Sequence, residues 1–125
     1  MRREPARPWL AGLAALCLAA WAATGQAQSV ERGRQLYEAR CGACHSVDAN
    51  RVGPLHRGVL GRRAGSVPGY DYSPALAASG QVWTEARLKA WLKDPEALIP
   101  GQKMGYRLDE ARDRDDVVAY LATLK

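Results

Sequence analysis

Beyond residue 28 the apolar positions follow helical rather than alternating spacing. Ser29 can cap a first helix running to about Arg40. Ser73-Pro74 opens a short helix with proline at its first position, ended by Gly80. Thr84 caps another through about Lys93, stopped at Asp94-Pro95. A last helix starts near Asp109, and its early acids Glu110 and Asp113 and the final Lys125 suit the macrodipole. Val117, Leu121 and Leu124 then form one apolar stripe at i, i+4, i+7. The stretch from Gly53 to Gly69, rich in glycine and holding Pro54 and Pro68, reads as irregular loop. No segment alternates with period two, and no repeat, linker or second domain is visible. The pattern predicts an all-α fold.

The amino-terminal residues are different in kind. Arg2, Arg3 and Arg7 precede an uncharged run from Trp9 to Ala23, followed by Thr24-Gly25-Gln26-Ala27. This is the charged, apolar and small-residue sequence of a secretory signal peptide, with cleavage expected after Ala27. An uncleaved anchor is the competing reading, but the run falls short of the roughly 20 residues that span a bilayer. Arg2-Arg3 lacks the usual flanks of a twin-arginine signal, and Leu16 is too bulky for a lipid-modified Cys17. The expected organisation is a signal at 1–27 and one domain at 28–125.

A domain of 98 residues is small for a single apolar core, so an added staple is expected. The leader holds three of the 18 basic and one of the 13 acidic residues, leaving 15 against 12. With so mild an excess, no basic run and no basic helix face, nucleic-acid binding has no support.

The chemistry concentrates in Arg40-Cys41-Gly42-Ala43-Cys44-His45. Once Cys17 is removed with the leader, Cys41 and Cys44 are the only thiols. Structural zinc usually takes four Cys or His ligands, often in two pairs, whereas this chain offers one pair and, besides His45, only His56. A thioredoxin-like dithiol needs strands alternating with helices. A plain disulfide is compatible with export but leaves His45 unexplained. C-x-x-C-H is the attachment motif of haem c: the thiols add across two vinyl groups and the next residue offers its imidazole to iron. Covalent haem would also be the staple. Met104, the only methionine past the leader, stands 59 residues beyond His45 in Ile99-Pro100-Gly101-Gln102-Lys103-Met104. Its soft thioether suits haem iron, and a turn at Pro100-Gly101 with a lysine beside it argues against a core gap-filler. His45 and Met104 are therefore the expected metal ligands.

From about Val30 to Leu124 the chain resembles the class I c-type cytochromes, the mitochondrial and soluble bacterial electron carriers. The resemblance rests on Gly33…Leu36-Tyr37, Cys41-x-x-Cys44-His45, Gly53-Pro54, Gly61-Arg62, Gly69-Tyr70-Asp71-Tyr72, Trp83, Ile99-Pro100-Gly101-x-Lys103-Met104 and Ala119-Tyr120-Leu121, in that order. It implies a small cytochrome c fold wrapped around one covalently bound haem c, with the first and last helices crossing at Gly33. It also implies that the Pro54 carbonyl accepts from the far nitrogen of His45. Arg62, Tyr72 and Trp83 match positions that bond or shield the propionates. Trp91 stands where a tyrosine often contacts the methionine sulfur. Leu76, Gln102 and Tyr106 also depart from the mitochondrial pattern. His56, two residues past Pro54, reads as a surface or loop-packing histidine on the His45 side. Arg40 and Lys103 match basic residues around the exposed haem edge, while Glu96-Ala97 replaces lysines.

The resemblance further implies a periplasmic one-electron carrier, monomeric and not membrane-embedded after cleavage. Its partners would be redox proteins: a quinol-oxidising complex, a terminal oxidase or a periplasmic dehydrogenase. Two other classes stay open. One is a haem subunit of a larger oxidoreductase complex; the other is a haem peroxidase or ligand sensor with a detachable Met104.

Overall fold

The computed structural model describes Arg2 and residues 27–125. The signal expected at 1–27 therefore lies outside the described residues, apart from Arg2 and Ala27. Five helices are present among the described residues, in the order α1 (Val30–Arg40), α2 (Pro74–Ala77), α3 (Glu85–Lys93), α4 (Pro95–Leu98) and α5 (Ala111–Leu121). Among the described residues there is no sheet, only an isolated bridge between Arg63 and Val82. No described helix is long and apolar enough to cross a membrane.

Caps set most of the boundaries. The side chains of Ser29, Ser73 and Thr84 accept from the backbone N–H three residues on, at Arg32, Leu76 and Arg87. Asp94 ends α3 and at once caps α4 by accepting from Ala97. A stop was expected here, and the chain restarts instead, because proline at the first helical position loses no hydrogen bond. α5 begins two residues later than Asp109 suggested, since Glu110 makes no side-chain cap bond. Lys125 lies past the end of α5 and does not offset its dipole; its carbonyl accepts from Arg57 instead.

The frame is the crossing of α1 on α5, with α3 packed on both α5 and α4. Tyr37, Leu88, Leu92, Val117, Val118 and Leu121 form much of the core. Gly33 lies at the crossing: a Cβ there would sit 1.9 Å from the Asp116 carbonyl oxygen and 3.0 Å from the Tyr120 Cβ. The same crossing carries a buried carboxylate. Asp116, 1% exposed, accepts from the Ser29 N–H at 2.7 Å and from Arg32 at 2.6 Å. Arg32 also pairs with Asp113. α5 thus satisfies an otherwise orphaned donor at the start of α1.

Burial alone would raise the Asp116 pKa, but the Ser29 N–H and the Arg32 guanidinium outweigh it and hold it below the ordinary 3.8. A depressed carboxylate stabilises the fold fully above its unfolded value and loses that contribution as pH falls through the folded one. Asp116→Asn is accordingly expected to cost about 2 kcal/mol at neutral pH. The gap to wild type should narrow below pH ~4, as read by denaturant melts across the acid range.

The loop from Gly53 to Gly69 is irregular but pinned. Gly61 and Ala64 donate to the carbonyls of Trp83 and Gln81, and Trp83 donates back to Arg62. This fastens the loop to the segment before α3 and encloses a cavity between loop and helices.

Candidate functional site

The C-x-x-C-H motif continues α1 as a tight turn. Cys41 and Gly42 donate to the Tyr37 carbonyl, and Cys44 and His45 donate to the Cys41 carbonyl. Arg51 closes the turn from outside, donating to the carbonyls of Gly42 at 2.7 Å and Ala43 at 3.3 Å. Nothing in the sequence pattern marked Arg51 for this task; the only signal was a cation shortly after a helix C-terminus.

Cys41 and Cys44 are not paired with each other as a disulfide. Burial, with a smaller contribution from Cys44, pushes the Cys41 thiol up to about 11. There is only an isolated bridge and no sheet among the described residues, so the alternating strands and helices of a thioredoxin-like dithiol centre are missing. Among the described residues no three His, Cys, Asp or Glu side chains assemble as a metal-binding group, so a zinc site has no ligand set either.

His45 is fixed by its neighbours. Its Nδ1 lies 2.9 Å from the Pro54 carbonyl oxygen. A carbonyl only accepts, so Nδ1 carries the proton and Nε2 keeps its lone pair. Burial lowers the His45 pKa, opposed by the bond to Pro54 and aided by Arg51. The ring is held neutral, the form that binds metal. Gly53 is needed for space here: a Cβ would lie 2.1 Å from His45 Cε1.

A cavity of about 570 Å³ opens beside the motif, and all ten residues singled out from the sequence border it: Cys41, Cys44, His45, Pro54, Arg62, Tyr72, Trp83, Trp91, Lys103 and Met104. Their individual partners vary. The Arg62 guanidinium donates to the carbonyls of Leu55 and Arg57, and burial lowers its pKa. The Tyr72 hydroxyl accepts from the Val67 N–H at 3.0 Å. Trp83 and Trp91 pack at 5.3 Å between ring centroids. Lys103 donates to the Asp71 carbonyl at 3.0 Å, with the Asp71 carboxylate at 3.6 Å.

Met104 is carried by a loop with its own clamp. Gly101 takes the left-handed conformation (φ 89°) that the turn requires. The Glu96 carboxylate accepts from the Gly101 N–H at 2.9 Å and from Gln102 Nε2 at 3.2 Å. Glu96, marked in the sequence only by the absence of a lysine, thus holds the methionine loop from one side while Lys103 holds it from the other.

The cavity fits haem c by the chemistry of its donors. Two thiols, a neutral imidazole with a free Nε2 and a thioether share one largely apolar wall. The Tyr106 hydroxyl, on the same wall, is buried without a partner among the described residues, as a buried polar group rarely is unless something else satisfies it.

The family model for cytochrome c matches residues 30–125. The chain belongs to the cytochrome c family. Its cofactor is accordingly haem c, covalently bound. Cytochrome c of Euglena viridis is 43% identical over 98 residues, covering 76% of this chain and 96% of that protein. Among solved structures, cytochrome cH from Methylobacterium extorquens superposes with a TM-score of 0.73 at 41% identity, covering 76% of this chain and 98% of that one. Ferricytochrome c2 from Rhodopseudomonas palustris gives 0.74 at 36% identity, covering 78% and 100%. The all-α cytochrome c fold expected from the sequence is the fold observed. His56, expected as a surface or loop-packing histidine, is half-buried in the loop and its ring stacks on His45.

Proposed function

We propose that this cytochrome c is an exported, monomeric one-electron carrier rather than an enzyme, with residues 1–27 removed as a signal and the mature chain in the periplasm. The observation that carries the reading is the pairing of His45 and Met104 in the wall of one cavity bordered by both motif thiols. Two side-chain ligands leave no open position for substrate. Haem c supplies a one-electron couple at iron; His45 and Met104 would hold that iron, and a thioether ligand would favour its reduced form.

The chain's own residues do the rest. Cys41 and Cys44 anchor the ring edge next to His45. Pro54 fixes the His45 tautomer and strengthens its donor nitrogen. Glu96 and Lys103 would keep the loop of Met104 in place. Arg62, Tyr72 and Trp83 line the side expected to meet the propionates. Lys103 and the exposed Arg40 border the cavity and steer acidic redox partners. That steering is weak, because Asp71 sits beside Lys103 and screening reduces exposed charges further. A quinol-oxidising complex, a terminal oxidase or a periplasmic dehydrogenase fits this docking chemistry.

The test is the exported protein itself. Expressed with its leader in a cell that attaches haem c, it should be recovered soluble, with the intact mass of residues 28–125 plus one haem. It should titrate as a single one-electron couple. A membrane-bound product retaining Trp9 to Ala23, or stable recovery only within a larger complex, would overturn the free-carrier reading.

A further inference from the structure

We propose that His56 is a positioning residue for His45: its ring, tethered by the Tyr37 hydroxyl, sets the angle of the His45 imidazole plane about the iron bond. The inference rests on His45 being a ligand of the iron, as proposed above.

The geometry defines what is left to fix. The bond from Nδ1 to the Pro54 carbonyl holds one end of the His45 ring, and Gly53 packs over the ring beside Cε1, where a Cβ would fall 2.1 Å from Cε1 and 2.5 and 2.6 Å from the two nitrogens. With Nε2 directed to a metal, Gly53 limits tilting of the ring plane toward itself, and a second contact on the imidazole face is needed to define the plane. A flat group lying on that face supplies it. The His56 ring does so, with centroids 4.0 Å apart and planes 20° from parallel.

His56 is itself held. Its Nδ1 lies 3.0 Å from the Tyr37 hydroxyl, the two rings meet edge-on at 5.5 Å, and Tyr37 is 4% exposed within the core. The plane of His45 is thereby referred through His56 to the α1–α5 frame. A buried imidazole costs desolvation that an aliphatic side chain of similar size would not. An aliphatic group would fill the space yet present no plane.

Axial-ring orientation is read by the hyperfine-shifted haem methyl resonances of the ferric protein, whose pattern follows the ligand plane. The experiment compares these spectra and the reduction potential for holoprotein of wild type, H56L, H56F and Y37F. H56L is expected to redistribute the methyl shifts and move the potential. H56F, which keeps a planar face, should retain the wild-type pattern. Y37F should move the pattern in the same direction as H56L by a smaller amount.

A wild-type pattern in H56L, or an equal displacement in H56F and H56L, overturns the proposal. Should H56L not fold, H56F decides alone, a retained pattern supporting the stack and a displaced one refuting it. A wild-type ferric protein lacking low-spin imidazole ligation altogether would instead overturn the ligand assignment of His45. That outcome is distinct from a normal wild-type spectrum that H56L leaves unchanged.

Discussion

Met104→Ala is expected to convert a protein inert to carbon monoxide when reduced into one that binds it. Met104 is the only methionine in the domain at 28–125, so no second thioether can take its place. His56 is committed to the His45 side by its stack and its bond to Tyr37. If the ligand-off form of wild type is populated at about 1% or less, the apparent affinity for carbon monoxide should rise about 100-fold or more in the variant. The ferric protein should lose its weak long-wavelength sulfur-to-iron band, the potential should fall, and hydrogen peroxide should be consumed faster. Carbon monoxide titration of both proteins, reduced and near neutral pH, checks this. Equal and tight binding by both would make Met104 a packing residue and favour the peroxidase or sensor class.

Gly33→Ala should give the largest loss of stability of any single methyl group added here. Its Cβ would fall 1.9 Å from the Asp116 carbonyl oxygen and 2.5 Å from the carbonyl carbon. Both are helix backbone, which cannot rotate aside as a side chain would. Relief requires α1 and α5 to separate, and that would also stretch the bonds from Asp116 to Ser29 and Arg32. Overpacking of this kind costs about 3 kcal/mol or more, or a drop of more than about 10 °C in Tm for a domain of this size. Thermal melts of the holoprotein measure it. A Tm within a few degrees of wild type would mean that the helices cross with slack.

The helices that begin at a capping side chain are readable from sequence. α1 and α3 start where Ser29 and Thr84 accept a local N–H, an interaction written entirely within four residues. α4 escapes such a reading because Asp94-Pro95 is both a stop signal for one helix and a start signal for the next, and local pattern does not separate the two. The start of α5 is displaced from the expected position because no side chain caps it.

The site divides in the same way. Its donors are identified by residue type and spacing, as with Cys41, Cys44, His45 and Met104. What holds those donors is set by the path of loops through space. Arg51 closing the motif turn, Glu96 clamping the Gly101 turn and His56 lying on His45 are contacts made by irregular backbone. No periodicity reports where such backbone goes.

The bond from Ser29 to Asp116 joins residues 87 positions apart, and that imposes an order of assembly. A chain delivered from its amino end exposes α1 and the motif long before α5 exists to receive them. An isolated helix of 11 residues is marginal in water, so in that interval Cys41 and Cys44 lie on open chain with the reactivity of ordinary thiols. Arrival of the last helix ends the interval. Cys41 then packs against the core while Cys44 stays exposed. The α1–α5 crossing is thus a latch that shuts last, over a motif the chain displayed first.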